Sequence, residues 1–277
     1  MSIWLSILMG LVQGFTEFLP ISSSGHLVII QNFLGQDIEH NYMLFDVLLH
    51  LGTLVSVFVC FWSDIREMVI EFIRFVRELC QGKCDLNATP ARRMMIMILI
   101  ATIPMVVVPF FNDYVEGLFS SPILVGCMLF VTAAFLFVTD QHRKGKKTAA
   151  DATWLDALSV GLWQLVAIIP GITRSGTAIM GGSLRGFKRS FAVKFSFLMS
   201  IPVIVGANIF TISDALAEPF DPSLILPYLI GIVVAAGSGI AAISLVRYIS
   251  SRKSYRPFVL YTCGAGLLTI ILSLILK

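Results

Sequence analysis

The chain has 277 residues, of which 57% are apolar and only 13% are Asp, Glu, Lys or Arg. A soluble domain carries about 25% charged residues to hydrate its surface, so this composition, with a mean hydropathy of +0.87, excludes a water-soluble globular protein. A net charge of +3 is too small to imply nucleic-acid binding, and five cysteines, several within apolar runs, do not read as a disulfide framework.

The first element, about 2–33, is apolar but interrupted by Pro20-Ile21-Ser22-Ser23-Ser24-Gly25-His26. Each half falls short of the roughly 20 residues that a membrane crossing takes. The stretch lacks a basic leader, and Glu17 and Pro20 sit where the core of a signal peptide would be, so it reads as mature protein. Spans are expected at about 44–62, 94–112 and 121–139. A second broken stretch, about 154–184, carries Pro170-Gly171-Ile172-Thr173-Arg174-Ser175-Gly176-Thr177. Three further spans follow at about 191–212, 224–247 and 257–276. The expected fold class is an all-α polytopic membrane protein with six transmembrane helices and two re-entrant helical hairpins, in a single integral membrane domain over 1–277.

Segments 63–93, 140–153, 185–194 and 247–256 hold 18 of the 20 Lys and Arg residues. Segments 34–43, 113–120 and 213–223 hold none, but carry Asp37, Glu39, Asp113, Glu116, Asp214, Glu218 and Asp221. Cytoplasmic loops are enriched in Lys and Arg, so the first set is expected inside and both termini outside. The stretch 154–184 then enters and leaves from the cytoplasm, and 2–33 from the opposite face. Gly10-Leu11-Val12-Gln13 before Pro20 matches Gly161-Leu162-Trp163-Gln164 before Pro170. Repeats of opposite topology with broken helices meeting near the midplane follow from this match. Repeat one covers about 1–112 and repeat two about 154–247, with spans 121–139 and 257–276 completing the bundle.

Few charges remain inside the apolar segments. Glu17 and Arg174 are the only deep carboxylate and the only deep cation, while Asp46 lies near the outer start of its span. Ionisable groups there are expensive and mark function by default; the plainer alternative is one ion pair joining two hairpins. Gln13 and Glu17, four residues apart, share a helix face. Ser22, Ser23, Ser24 and Gly25 on one side, and Thr173, Arg174, Ser175, Gly176 and Thr177 on the other, offer hydroxyls and helix N-termini to an anion. Phosphate or diphosphate fits best, with Arg174 as a bidentate fork. Ser23, His26 and Glu17 supply a nucleophile, a proton-transfer group and an orienting or metal-binding carboxylate. His50 reads as a helix–helix hydrogen bond. Cys80 and Cys84 form at most half a metal site, and the Asn87-Ala88-Thr89 sequon falls on the inner side, by chance.

Gln13-x3-Glu17-Phe18-Leu19-Pro20-Ile21-Ser22-Ser23-Ser24-Gly25-His26 and Pro170-Gly171-Ile172-Thr173-Arg174-Ser175-Gly176 resemble the two signature motifs of bacterial undecaprenyl-pyrophosphate phosphatases of the bacitracin-resistance type, and Phe195-Ser196-Phe197-Leu198-Met199-Ser200-Ile201-Pro202 resembles the pattern that follows. The resemblance implies hydrolysis of the lipid diphosphate to the monophosphate and phosphate in the bacterial plasma membrane, recycling the carrier for peptidoglycan synthesis. It also implies catalytic positions at Glu17, Ser23, His26 and Arg174, and a divalent cation, Mg²⁺, with Glu17 as its ligand. Two departures stand out: Gln13 replaces a frequent second Glu, and Thr177 is followed by Ala178 where some members place the threonine. A polyprenyl diphosphate and the bilayer are the expected partners, a homodimer is an admissible assembly, and the active site is expected to open to the outer face. A transporter or flippase for a lipid phosphate or other anion is the alternative, because broken inverted repeats serve carriers equally well.

Overall fold

The computed structural model describes all residues except 34–40, 84, 87, 112–116, 120, 218–221, 253 and 276–277, and leaves out the side chains of 31–33, 41–43, 210–217 and 252. His40, most of the acidic loop residues named above, Cys84 and Asn87 thus lie outside the described residues.

Every described element but an isolated bridge is helical. In chain order they are α1 (Ile3–Phe18), α2 (Ser23–Phe33), α3 (Asn41–Cys60), α4 (Trp62–Cys80), α5 (Pro90–Thr102), which continues as a 3₁₀ segment over Ile103–Phe111, α6 (Pro122–Gln141), α7 (Trp154–Val166), α8 (Arg174–Leu184), α9 (Arg189–Ala217), α10 (Ile225–Arg252) and α11 (Arg256–Ile275). Five are long and apolar enough to cross a membrane: Pro90–Phe111, α6, Arg189–Ile209, Pro222–Ser251 and α11; α3, followed by α4 at a sharp bend, is the sixth candidate. The chain is a multi-pass α-helical membrane protein, as its composition requires.

The two broken stretches become two helix pairs, α1 with α2 and α7 with α8, and the members of each pair pack on each other. Packing between the halves is reciprocal: α1 runs along α10, and α7 packs against α5. Small residues allow the first contact. A Cβ at Gly14 would lie 2.4 Å from the Ala235 carbonyl oxygen, and close backbone approach of this kind is how helices associate where no hydrophobic force separates helix from lipid. The core gathers Phe18, Val57, Phe61, Met97, Leu136 and Phe197, while Leu99, Phe110, Val233, Leu260 and Ile275 are exposed. Such outward apolar residues face hydrocarbon in a membrane protein.

The segment 63–93, expected as a loop, instead begins with α4, which turns 87° from α3. Its sequence sets Phe72, Ile73, Val76 and Leu79 on an exposed apolar stripe, with Glu71 and Glu78 on the opposite side pairing with the buried Arg92 at 3.1 and 2.6 Å. A helix with one apolar and one charged face lies in a membrane interface rather than across it.

Ion pairs fasten the basic ends of the helices. Asp140 at the end of α6 accepts from Arg143 and Ser254 and from the backbone N–H of Tyr255 at 3.0 Å. Asp156, in a capping box with Thr153, accepts from Lys147 at 2.9 Å and Arg185 at 2.6 Å. Burial alone would raise the Asp156 carboxyl, but the Thr153 backbone N–H and the Lys147 and Arg185 side chains bring it down to about 2.

Candidate active site

The first break is a strained turn. Helix α1 stops where Pro20 follows Leu19, and Ser22 takes φ +71°, in the left-handed region that a non-glycine residue adopts at a cost of about 1–3 kcal/mol. Ser22 ties the turn: its Oγ accepts from the Gly25 N–H at 3.2 Å, and its carbonyl accepts from the His26 N–H at 3.2 Å. The reversal directs Ser23, the first residue of α2, back at α1. There its hydroxyl donates to Glu17 Oε2 at 2.9 Å.

The second break uses glycine for the same purpose. Gly171 has φ +92°, and a Cβ there would lie 2.6 Å from the Val125 carbonyl oxygen. Thr132 of α6 braces it, donating to the Gly171 carbonyl at 2.8 Å and accepting from the Thr173 N–H at 3.1 Å. Thr173 caps α8, accepting from the Gly176 N–H at 3.3 Å. Arg174 in the first turn donates through Nη2 to Glu17 Oε1. Its Nη1 is buried and has no hydrogen-bond partner among the described residues.

The breaks meet around a cavity of about 420 Å³ whose wall includes Glu17, Ser23, Ser24, Thr173 and Arg174. Among the residues of this wall that the sequence reading did not place in the site are Asp46 and His50 from α3 and Asn208 from α9. His50 Nε2 lies 3.9 Å from Glu17 Oε2, and His50 Nδ1 lies 2.9 Å from the Asp46 carbonyl oxygen and 3.7 Å from its carboxylate. The helix–helix hydrogen bond expected for His50 is therefore replaced by a contact within its own helix and exposure to the cavity. The signal was present in the spacing, since Asp46 and His50 share one face of an apolar helix as Gln13 and Glu17 do.

The remaining residues of the expected site stand behind the wall. Gln13, fully buried, donates to Glu17 Oε2 at 3.1 Å. Ser22 and Gly25 build the turn. The Ser175 hydroxyl pairs with that of Thr173 at 3.2 Å, and Gly176 spends its N–H on the cap. Thr177 donates back to the carbonyls of Thr173 and Arg174 at 3.0 and 2.9 Å. These residues shape the cradle without lining it.

His26 needs a correction. Its Nδ1 sits 2.7 Å from the Ser22 carbonyl oxygen, and its Nε2 sits 2.8 Å from the Tyr261 hydroxyl of α11. The two rings are stacked, with centroids 5.6 Å apart. Both ring nitrogens are therefore engaged away from Ser23. Three residues of helix rotate a side chain by about 300°, which left room for the ring to turn outward. The group that receives the Ser23 hydrogen bond is Glu17.

The carboxylate expected to hold Mg²⁺, Glu17, shares its wall with Asp46 and His50. Among the described residues no three His, Cys, Asp or Glu side chains are grouped to hold a metal ion. Arg174 occupies one Glu17 oxygen, and Gln13 and Ser23 occupy the other.

Fold and site together define an α-helical membrane protein with an internal phosphate-type cradle: a hydroxyl beside a carboxylate, and a guanidinium with an unused donor. A family model described as bacitracin resistance protein BacA matches residues 6–268. The chain belongs to this family. It is 39% identical over 277 residues to an undecaprenyl-diphosphatase of Alkaliphilus metalliredigens, covering 99% of this chain and 100% of that one. It is 38% identical over 276 residues to an undecaprenyl-diphosphatase of Methanosphaera stadtmanae, covering 98% of each.

Proposed function

We infer that this protein hydrolyses undecaprenyl diphosphate to undecaprenyl phosphate and inorganic phosphate, recycling the lipid carrier for wall synthesis and conferring bacitracin resistance. The observation that carries the reading is the hydrogen-bonded chain Ser23–Glu17–Arg174 on one cavity wall. A carrier needs anion donors but no hydroxyl beside a base, so the arrangement favours hydrolysis over transport.

In the proposed course, the Ser23 oxygen attacks the terminal phosphorus while its proton passes to Glu17 Oε2. The bond from that phosphorus to the bridging oxygen breaks, and the lipid monophosphate leaves. Glu17 passes this proton to the departing phosphate oxygen. Water then attacks the phosphoserine, and Glu17 takes the water's proton and hands it to the Ser23 oxygen as the P–O bond breaks, which releases phosphate and restores Ser23. Arg174 Nη1 is the donor free to meet charge on the transferred oxygens, and such fixed donors act where charge develops. Ser24 and Thr173 hydroxyls line the same cradle. His26 keeps the Ser22 turn in place through its bonds to Ser22 and Tyr261.

The Lys and Arg residues at the helix ends support a reading in which those loops are cytoplasmic, the hairpin of Ser23 enters from outside, and the site opens to the outer face of the plasma membrane. Reciprocal packing of the two halves supports the inverted-repeat reading. The deciding experiment is phosphate release from the lipid diphosphate by purified protein in detergent micelles, where no transport can occur. Turnover that disappears in Ser23→Ala supports the reading; absence of release from well-folded wild type overturns it. For the access side, a cysteine at Ser24, after native cysteines are replaced, should react in intact cells with an impermeant thiol reagent. Labelling only from the cytoplasm would reverse the assignment.

A further inference from the structure

A second cavity, of about 530 Å³, lies away from the candidate active site, among the basic helix ends. Its wall brings together Lys188, Lys194 and Arg247 with the Ser190 hydroxyl, and Phe61 and Phe191 supply apolar surface. Among the described residues no carboxylate is part of the wall. Lys194 is paired at 2.7 Å with Asp64 of α4. Among the described residues, neither Lys188 nor Arg247 has a carboxylate within ion-pair distance; the Arg247 guanidinium instead lies 5.3 Å above the Phe61 ring, which fixes it in place.

The depth of this cavity is set by the helices that frame it. Phe61 directly follows Cys60, the last residue of α3, about 17 Å along from His50 in the first cavity. Lys188 and Ser190 flank the start of α9, and Arg247 lies in the last turns of α10. These are the ends where the membrane-spanning stretches meet the Lys- and Arg-rich segments. With the orientation proposed above, on which this inference rests, the cavity sits at headgroup level on the cytoplasmic side.

We propose that this cavity is a binding site for a phosphate headgroup at the cytoplasmic leaflet, distinct from the diphosphate cradle. Three cations converging with one counter-ion leave a local excess of positive charge, which an anion relieves. The Arg247 fork suits two phosphate oxygens, while Lys188 and the Ser190 hydroxyl offer further donors. Phe61 and Phe191 meet the apolar part of a lipid. Basic pockets between transmembrane helices on this side of a membrane take lipid headgroups by this chemistry. The same donors would accept free phosphate, and the test separates the two sources.

Protein in neutral maltoside detergent is titrated with a short-chain phosphatidylglycerol, with the matching phosphatidylcholine and with inorganic phosphate, and the melting midpoint is followed. The wild type should bind the phosphatidylglycerol at least about tenfold more tightly than the phosphatidylcholine, the scale of a lost hydrogen bond to charge. Lys188→Gln/Arg247→Gln should remove that preference while micellar diphosphate hydrolysis continues, which shows that the variant is folded. Lys188→Gln alone, at an exposed side chain, should shift binding in the same direction by less. Inorganic phosphate as effective as the anionic lipid would support the phosphate site with free phosphate as its ligand. Equal lipid preference in wild type and double variant overturns the proposal. So does an equal loss in Lys144→Gln, which removes a loop charge outside the cavity.

Discussion

The two helix breaks are sequence counterparts, yet they do different work. Around the first, a strained Ser22 and the polar face of α1 present a hydroxyl and a carboxylate. Around the second, Gly171 makes the turn without strain and α8 presents a guanidinium. The counterpart of Gln13 is Gln164, which is buried with neither amide atom partnered among the described residues, and the position four residues on, where α1 has Glu17, holds Ile168. A repeated backbone device thus carries unequal chemistry: attack and proton transfer on one side, charge neutralisation on the other.

The sharpest way to break this division is to empty each side in turn. Ser23→Ala should lower phosphate release by about 10³-fold or more, on the scale of a lost nucleophile. Substantial turnover in that variant would mean direct attack by water, with the first break reduced to a cradle. Glu17→Gln should cost about 10²–10⁴-fold, the range of a general base, whereas Gln13→Ala, which only steadies Glu17, should cost about tenfold. Equal, mild losses in the two would detach proton transfer from the carboxylate.

On the second side, Arg174→Lys keeps the charge but loses the fork, which now spans Glu17 and an unused donor. A drop of about 10²-fold in kcat is expected; near-normal rates would make Arg174 a structural ion pair. The outward orientation of His26 gives a smaller effect. His26→Ala and Tyr261→Phe should each reduce turnover by about tenfold or less and lower the melting midpoint together. A far larger loss confined to His26→Ala would return that ring to the reaction.

The smallest effect concerns the basic end, where Asp156 is a brace rather than a reagent. Its native pKa of about 2 lies below the unfolded value of about 3.9. The stability it contributes is therefore complete above pH 4 and is lost as pH falls from there towards 2. Melting of the detergent-solubilised protein between pH 5 and 2 should show a decline that Asp156→Asn blunts, with diphosphate hydrolysis at neutral pH little changed.

Much of the molecule is determined by sequence alone. Spans follow from apolar length, because lipid cannot satisfy a backbone that is not hydrogen-bonded to itself. The pairing of Glu17 with Arg174 follows because each is the only deep charge of its sign, and an isolated charge in hydrocarbon demands a partner. Tertiary structure decided the rest. Asp46, His50 and Asn208 reach the cavity because α3 and α9 pack beside the two breaks: spacing puts Asp46 and His50 on one face of α3, but only packing turns that face towards Glu17. The ring of His26 points to Tyr261, some 235 residues away in the chain, because a partner on a distant helix captures the nitrogen that local spacing would have offered to Ser23. The 87° turn of α4 likewise depends on where α3 ends and on Arg92 of α5 gathering the acidic face. Composition fixes which segments enter the membrane; packing fixes which side chains meet there.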